Sequence, residues 1–301
     1  MYKYFQHISV LFMLVFSNPL MASISVFACE PEWASLADEL GGNRIRSFSA
    51  TTAYQDPHHI EARPSLIAKL RGADLLVCSG AELEAGWLPV LIRQAANNKV
   101  LPDMPGYFEA STMVSLLDKP IKIDRSMGDV HASGNPHVHL DPRRIEVIAK
   151  SLQARLVAID PHGADYYQHR YQDFKQRWQK AMSQWLIQAS ELNGSRIVVH
   201  HRDWVYLFEW LGIEIAGALE PKPGLPATAG HMTMLKQTLS LKPAKMIVHT
   251  VYQNPRAAQR LANLTNTPVV ELPYTVGGTE EVKNLFDLFT VTIEKLKGGA
   301  E

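Results

Sequence analysis

Short apolar runs rich in β-branched residues alternate along this chain with stretches of helical periodicity. The apolar runs are typical of buried strands, and the other stretches carry apolar positions three and four residues apart. Strands are predicted at 24–28, 44–49, 74–78, 197–200, 213–216, 246–249 and 269–272. Helices are predicted between them at 32–40, 65–71, 87–95, 233–239 and 256–264. This alternation indicates an α/β protein with mainly parallel sheets.

One long segment, 164–189, interrupts the alternation. Its apolar side chains form a single helical stripe, and it contains no Gly or Pro. A helix of that length would reach roughly 40 Å, more than a small domain needs. The chain has 301 residues, which exceeds the ~100–200 residues typical of one domain. We therefore expect an N-terminal lobe over 23–160, a linker helix over 161–190 and a C-terminal lobe over 191–301.

The N-terminus has the pattern of a signal peptide. Lys3 precedes an apolar run at 8–16, and small residues follow it. The run is too short for the ~20 residues of a spanning helix, so we expect export to the periplasm and cleavage near Ala22. Lipid attachment at Cys29 is the alternative, although bulky Phe27 stands where a small residue is preferred and cleavage there would remove the strand at 24–28.

Charge and cysteine content add less. Thirty Lys plus Arg balance thirty Asp plus Glu, so the net charge does not favour nucleic acid or an anionic membrane as a partner. Cys29 and Cys78, the two cysteines of the chain, each follow or end a predicted strand. A disulfide forms if those strands are neighbours, and two buried thiols remain if they are not.

Several histidines fall where α/β proteins bind ligands, at the C-terminal ends of strands and in the loops beyond them. They are His58 and His59, His137 and His139 in the segment GNPHVHLDP, His200 and His201, and His249. Imidazoles from separate regions are donors that a divalent transition metal prefers. A zinc hydrolase is a competing hypothesis, but no His-Glu-x-x-His, Gly-x-Ser-x-Gly or phosphate-loop motif supports an enzyme.

Five segments then carry a family resemblance: DPHHIEARPS at 56–65, ADLLVCSGAELEAGWLP at 73–89, NPHVHLDPR at 135–143, VVHHRDWVYLFEWLG at 198–212 and LPYTVGGTEE at 272–281. Their order resembles that of the solute-binding proteins of zinc and manganese ABC importers, over about 25–295. The resemblance implies two α/β lobes joined by one rigid helix, with a metal ion held in the cleft. It also implies a monomer without enzymatic activity, which delivers the ion to a membrane permease, with a periplasmic metallochaperone as an optional partner.

The resemblance assigns His58, His137 and His201 as metal ligands. It leaves His59, His139 and His200 as neighbours, and Asp141 as the cap of a following helix that begins at Pro142. The family's fourth ligand is an aspartate in Leu-Asp-Pro, where this chain reads LPY at 272–274. We favour Glu280, because the preceding glycines free its loop. The alternatives are Glu271, Glu281, His249 and water, and a helix capped by Thr279 would make both glutamates at 280–281 structural.

Ligand type favours zinc as the cargo. Manganese relatives carry a glutamate where this chain has His201, and three imidazoles suit Zn²⁺ better than Mn²⁺, which is weakest in the Irving–Williams order. A manganese-binding homologue is the alternative. His131 is the one histidine of the polar segment 118–134, so we expect no second metal site there. We expect His131 to be a solvated loop residue, and the alternative is that it approaches the cleft and assists metal transfer.

Overall fold

The computed structural model describes residues 23–120, 128–129 and 131–299, which form two four-stranded parallel sheets with helices packed on them. The predicted α/β fold with two lobes and one long helix is confirmed. The predicted signal peptide lies outside the described residues. Within them, no helix combines the length and the apolar character that crossing a membrane requires.

The first sheet contains β1 (Ile24–Ala28), β2 (Ile45–Ser49), β3 (Leu75–Cys78) and β4 (Tyr107–Glu109), in the order β2-β1-β3-β4. Its helices are α1 (Pro31–Gly41), α2 (Pro64–Arg71), α3 (Leu88–Ala95) and α4 (Pro142–Ile159). Strand β4 was not predicted, because three residues with only the middle one buried are too short for a periodic pattern.

The long helix α5 (Ala164–Gln188) links the two lobes. Its buried aromatic stripe consists of Tyr167, Tyr171, Phe174, Trp178 and Trp185. These side chains belong to one continuous core with strand residues of both lobes, such as Val26 and Val199. The Trp178 indole N–H also donates to the carbonyl of Pro142, at 2.8 Å. The helix is therefore packed into the core of both lobes, which favours a fixed arrangement of one lobe on the other.

The second sheet repeats the topology of the first. It contains β5 (Arg196–Val199), β6 (Glu214–Ala218), β7 (Met246–Thr250) and β8 (Val269–Leu272), in the order β6-β5-β7-β8. Its helices are α6 (Val205–Leu211), α7 (Ala229–Leu241), α8 (Arg256–Thr265) and α9 (Leu285–Gly298). Asn284, and not Thr279, caps α9, through bonds from the N–H groups of Phe286 and Asp287.

The two cysteines form a disulfide between neighbouring strands. β1 and β3 pair in parallel, and Cys29 follows β1 while Cys78 ends β3, with Cα atoms 4.8 Å apart. Both cysteines are buried. The sequence left a disulfide and two free thiols open, and the structure decides for the disulfide.

Candidate metal centre

The segment GNPHVHLDP lies at the start of α4. Residues Val138–Leu140 form one turn of 3-10 helix, and Asp141 accepts a bond from the backbone N–H of Arg143 at 2.9 Å. Asp141 is thus the N-cap of α4 and Pro142 lies in the first turn, as predicted. The side chains of His137 and His139 are both fully buried by this turn.

Three of the predicted ligands come together between the lobes. His58 lies in the loop after β2, His137 precedes α4 and His201 follows β5. One ring nitrogen of each lies within 4.8 Å of one ring nitrogen of the other two. The ring centroids are 5.5–5.8 Å apart and the rings cross edge to face. Two lobes and three separate segments therefore supply one group of imidazoles.

Carboxylates fix the orientation of two of these rings. His58 Nδ1 lies 2.7 Å from Asp56 Oδ1, and His201 Nδ1 lies 2.7 Å from Glu220 Oε2. An ionised carboxylate only accepts hydrogen bonds, so each Nδ1 carries the proton. In the neutral form of each ring, Nε2 then has the lone pair that a metal ion binds. Carboxylate partners of this kind recur behind metal-binding histidines.

His137 has a different partner. Its Nδ1 lies 2.8 Å from the phenol oxygen of Tyr274, which follows β8. Its Nε2 is buried and has no hydrogen-bond partner among the residues described. The nearest carboxylate oxygen to that nitrogen is Oδ1 of Asp203, at 3.6 Å. A buried nitrogen without a partner is costly in a folded protein, and a bound metal ion would satisfy it.

The electrostatics separate His137 from His201. Burial lowers the pKa of both imidazoles, and the neighbouring rings of His201 and His58 lower that of His137 further. At His201 the charges of Asp203 and Glu220 outweigh burial and raise the pKa to about 9. Below that pH, in the metal-free protein, His201 therefore carries a second ring proton and a positive charge, whereas His137 stays neutral.

Asp203 was missed by sequence reasoning. It is fully buried in the short 3-10 helix Arg202–Trp204, and burial raises the pKa of its carboxyl. Gln253 Nε2 donates to its Oδ2 at 3.0 Å, so Oδ1 faces His137. The residue lies two positions after His201, inside a segment already singled out. Only its through-space distance to His137 identifies it.

The structure does not bring Glu280 into the histidine group. Residues 277–282 form a tight turn, closed by a bond from the N–H of Gly277 to the carbonyl of Val282 at 2.8 Å. Gly277 has φ 84°, which allows the turn, and the turn leaves Glu280 exposed. Glu271 and Glu281 are exposed as well. His249 is buried, but its Nδ1 faces the carbonyl of Thr250 at 2.9 Å.

His131 lies against the group, contrary to the expectation of a solvated loop residue. It is partly buried, and its Nε2 is 3.2 Å from Nε2 of His58. Burial, with the rings of His58 and His201, lowers its pKa to about 3. Its loop is held by Ser133, whose hydroxyl donates to Glu82 at 2.7 Å. His131 is thus a further neutral imidazole beside the three predicted ligands.

Two parallel α/β lobes with buried imidazoles between them define a class of metal-binding solute receptor. Residues 26–299 match the family model described as zinc-uptake complex component A, periplasmic. The chain belongs to this family. It is therefore an extracytoplasmic solute-binding protein of a metal ABC importer that works with a membrane permease. It is not an enzyme, and the zinc-hydrolase hypothesis is rejected.

Curated relatives carry names of the same class, and solved structures share the fold. The chain is 21% identical over 285 residues to the manganese ABC transporter substrate-binding lipoprotein PsaA of Streptococcus anginosus, covering 92% of this chain and 89% of PsaA. A zinc-bound ZnuA deletion mutant superposes with a TM-score of 0.77 at 18% identity, over 93% of this chain and 98% of ZnuA. The manganese-bound periplasmic metal-binding protein of Candidatus Liberibacter asiaticus superposes with a TM-score of 0.75 at 14% identity, over 93% of this chain and 100% of that protein.

Proposed function

We propose that this protein captures Zn²⁺ in the periplasm and delivers it to the permease of an ABC importer. The observation that carries the proposal is the convergence of His58, His137 and His201 on one point, with the buried carboxylate of Asp203 beside them. Three imidazoles and one carboxylate make the four-ligand set that zinc binds in proteins. In this assignment Asp203 takes the place that we expected Glu280 to fill.

Asp203 suits the fourth position better than Glu280 for physical reasons. A carboxylate with no solvent exposure is costly unless a positive charge faces it, and a bound ion would supply that charge. An exposed carboxylate such as Glu280 keeps its hydration and gains less. The 3.6 Å from Asp203 Oδ1 to His137 Nε2 is close to the spacing of two ligand atoms that share one zinc ion at ~2 Å.

Zinc is proposed over manganese because of the donor atoms. Imidazole suits zinc, whereas manganese prefers carboxylate and water oxygen and binds most weakly of the first-row divalent ions. PsaA is named for manganese, one solved relative has manganese bound and another has zinc bound. The relatives therefore leave the metal open, and the ligand set of this chain is what supports zinc.

The surroundings fit capture from solution followed by release. A cavity of ≈ 290 Å³ is lined by residues of both lobes, among them His131 and His201. It offers a hydrated ion a route to the imidazoles. We further infer that the mature chain begins after cleavage near Ala22, so that capture takes place outside the cytoplasmic membrane. The mature protein is proposed to act as a monomer.

Chelator competition on the metal-free mature protein tests the ligand set. One Zn²⁺ per chain is expected for the wild type. Asp203→Asn should weaken zinc affinity by about 100-fold, because the amide oxygen carries no charge for the ion. Glu280→Gln is the matched control and should leave affinity unchanged. If Glu280→Gln weakened binding and Asp203→Asn did not, the assignment of Asp203 would be wrong.

The choice of metal needs a second measurement. Protein isolated from the periplasm under metal-limited growth should contain zinc, and Zn²⁺ should displace Mn²⁺ from the loaded protein. Electron paramagnetic resonance of free Mn²⁺ follows that displacement directly. Manganese in the isolated protein, together with failure of Zn²⁺ to displace it, would replace zinc by manganese as the cargo.

A further inference from the structure

A buried acid–histidine pair beside the metal centre supplies none of the proposed ligands. Glu32 lies in the first turn of α1, and His139 lies two residues after His137. Neither side chain has any solvent exposure, and His139 Nδ1 is 3.2 Å from Glu32 Oε1. A buried pair of this kind rarely adds net stability. Its remaining polar atoms indicate what else it does.

Those remaining atoms all contact the opposite lobe. His139 Nε2 donates to the backbone carbonyl of Tyr274 at 3.1 Å. The hydroxyl of Thr275 donates to Glu32 Oε2. The rings of His139 and Tyr274 also meet edge to face, with centroids 4.9 Å apart. The pair in the N-terminal lobe thus holds the two residues that follow β8 in the C-terminal lobe.

His139 cannot serve as a ligand in this arrangement. Its Nε2 faces a carbonyl and its Nδ1 faces a carboxyl group, so neither nitrogen presents a free lone pair to the cleft. The same contacts explain why a histidine suits this position. Its one rigid ring lies between a carboxyl group of its own lobe and a backbone carbonyl of the other lobe.

Tyr274 connects the pair to the metal site. Its phenol oxygen lies 2.8 Å from His137 Nδ1. When His137 binds an ion through Nε2, its Nδ1 carries the proton and donates to that phenol oxygen. We propose that Glu32 and His139 are positioning residues for metal capture, which hold Tyr274 so that its phenol orients His137. The proposal rests on the proposed function.

A thermodynamic cycle separates positioning from a merely structural role. Tyr274→Phe removes the phenol and should weaken zinc affinity ~10–100-fold, as loss of a ligand's hydrogen-bond partner does. Glu32→Ala should weaken it about 10-fold in the wild-type background. In the Tyr274→Phe background, Glu32→Ala should cost little more, because the group through which it acts is already gone.

Two further variants control the cycle. Glu32→Gln keeps one acceptor for Thr275 and gives His139 an amide donor, so it should restore near wild-type affinity. Tyr167→Phe removes another buried phenol. Tyr167 lies on the long helix α5, away from the site, and its hydroxyl donates to Asp160 at 2.8 Å. It should leave zinc affinity unchanged. If Glu32→Ala does not fold, Thr275→Val removes one of the same contacts with little change of shape.

Long-range ¹H–¹⁵N NMR of histidine-labelled, zinc-loaded protein gives a second readout. His137 should show a protonated Nδ1 in the wild type and a weakened or exchange-broadened Nδ1–H signal in Tyr274→Phe. Full additivity of Glu32→Ala and Tyr274→Phe, or unchanged affinity in both, would overturn the positioning role while wild-type zinc binding stood. A wild-type protein that binds no zinc would overturn the proposed function, and the positioning role with it.

Discussion

His137 and His139 occupy the same turn, are equally buried and both contact Tyr274, yet their surroundings differ in one decisive respect. His139 donates from Nε2 to the carbonyl of Tyr274, and its Nδ1 lies 3.2 Å from Glu32 Oε1 without a hydrogen bond among the residues described. His137 faces a phenol at Nδ1, and its Nε2 has no hydrogen-bond partner within the described part of the chain. Each ring thus has one hydrogen-bonded nitrogen and one nitrogen that faces a buried carboxylate, and His137 is the one of the two that lies in the group with His58 and His201.

The difference shows that burial and proximity to carboxylates do not by themselves make a ligand. Each ring has a buried carboxylate nearby, Glu32 for His139 and Asp203 for His137. What distinguishes them is the company of other imidazoles. His137 belongs to the group with His58 and His201, and such a group favours a cation, whereas His139 contacts the opposite lobe through the backbone carbonyl of Tyr274.

The largest expected effect comes from replacing these two residues in turn. His137→Ala should weaken zinc affinity by more than the ~100-fold that loss of a partner group costs, because a ligand itself is lost. His139→Ala should weaken zinc affinity only about 10-fold. It should lower the melting temperature more than His137→Ala does, because Glu32 would be left buried without its histidine partner. Chelator competition and thermal unfolding of both variants measure the two effects. A greater loss of affinity in His139→Ala would reverse the assignment.

The pH dependence of zinc affinity tests the electrostatic side of the site. The ion binds neutral imidazole, whereas His201 in the metal-free protein has a pKa of about 9. Zinc must therefore displace a proton from His201 below that pH, and affinity should fall about tenfold for each pH unit from 9 downward. With an ordinary histidine pKa of ~6.5, zinc affinity would begin to fall only below about pH 6.5. Zinc affinity measured from pH 6 to 10 that stayed flat above pH 7 would contradict the raised pKa.

The fold was largely readable from the sequence. Strands β1 and β8 have the predicted bounds, and the other predicted strands and helices differ by a few residues at their ends. Strong periodicity in buried elements explains this success. Strand β4 and helices α6 and α9 were not predicted. Helix α6 has seven residues, five of them buried, and is too short for a helical period to show in the sequence.

The site was only partly readable. The three histidines came from the family resemblance, because one sequence does not show which loops converge. Asp203 and Tyr274 approach His137 across the cleft, and no spacing along the chain encodes those distances. Glu280 was favoured because glycines precede it, but the same glycine flexibility forms the tight turn that exposes it. The glycines therefore indicated that the loop could adopt unusual conformations, but not whether it would turn Glu280 toward the cleft or toward solvent.

Removing the carboxylates that contact Nδ1 of His58 and of His201 should have a smaller effect on zinc affinity. Asp56→Asn and Glu220→Gln each remove the charge that fixes a ring, and each should weaken zinc affinity ~10–100-fold. Glu220→Gln should cost more, because the side chain of Glu220 is 16% exposed and that of Asp56 is 39% exposed, so water screens Asp56 better. Chelator competition at one pH measures both. Equal affinity of wild type and both variants would show that these carboxylates do not orient the ligands.

The last effect is on folding stability and not on metal affinity, and it concerns buried carboxyl groups close to Glu32. Burial raises the pKa of Glu30, and the charges of Glu84 and Glu32 raise it further. Burial also raises the pKa of Glu84 to about 7. The folded protein thus holds a proton that the unfolded chain releases near pH 4.5. Raised carboxyl pKa values stabilise the fold below that pH, and this stability is lost as pH rises through about 7.

Glu30→Gln tests whether stability falls with rising pH because of Glu30, since glutamine stays neutral and still offers an amide donor near Glu84. At pH 8 the metal-free variant should be more stable than the wild type by ~1–3 kcal/mol, and at pH 5 the two should be similar. Urea unfolding at both pH values gives the two free energies. The exposed Glu61→Gln is the control and should follow the wild type at both. Equal loss of stability with rising pH in Glu30→Gln and wild type would show that Glu30 is not the group that holds the proton.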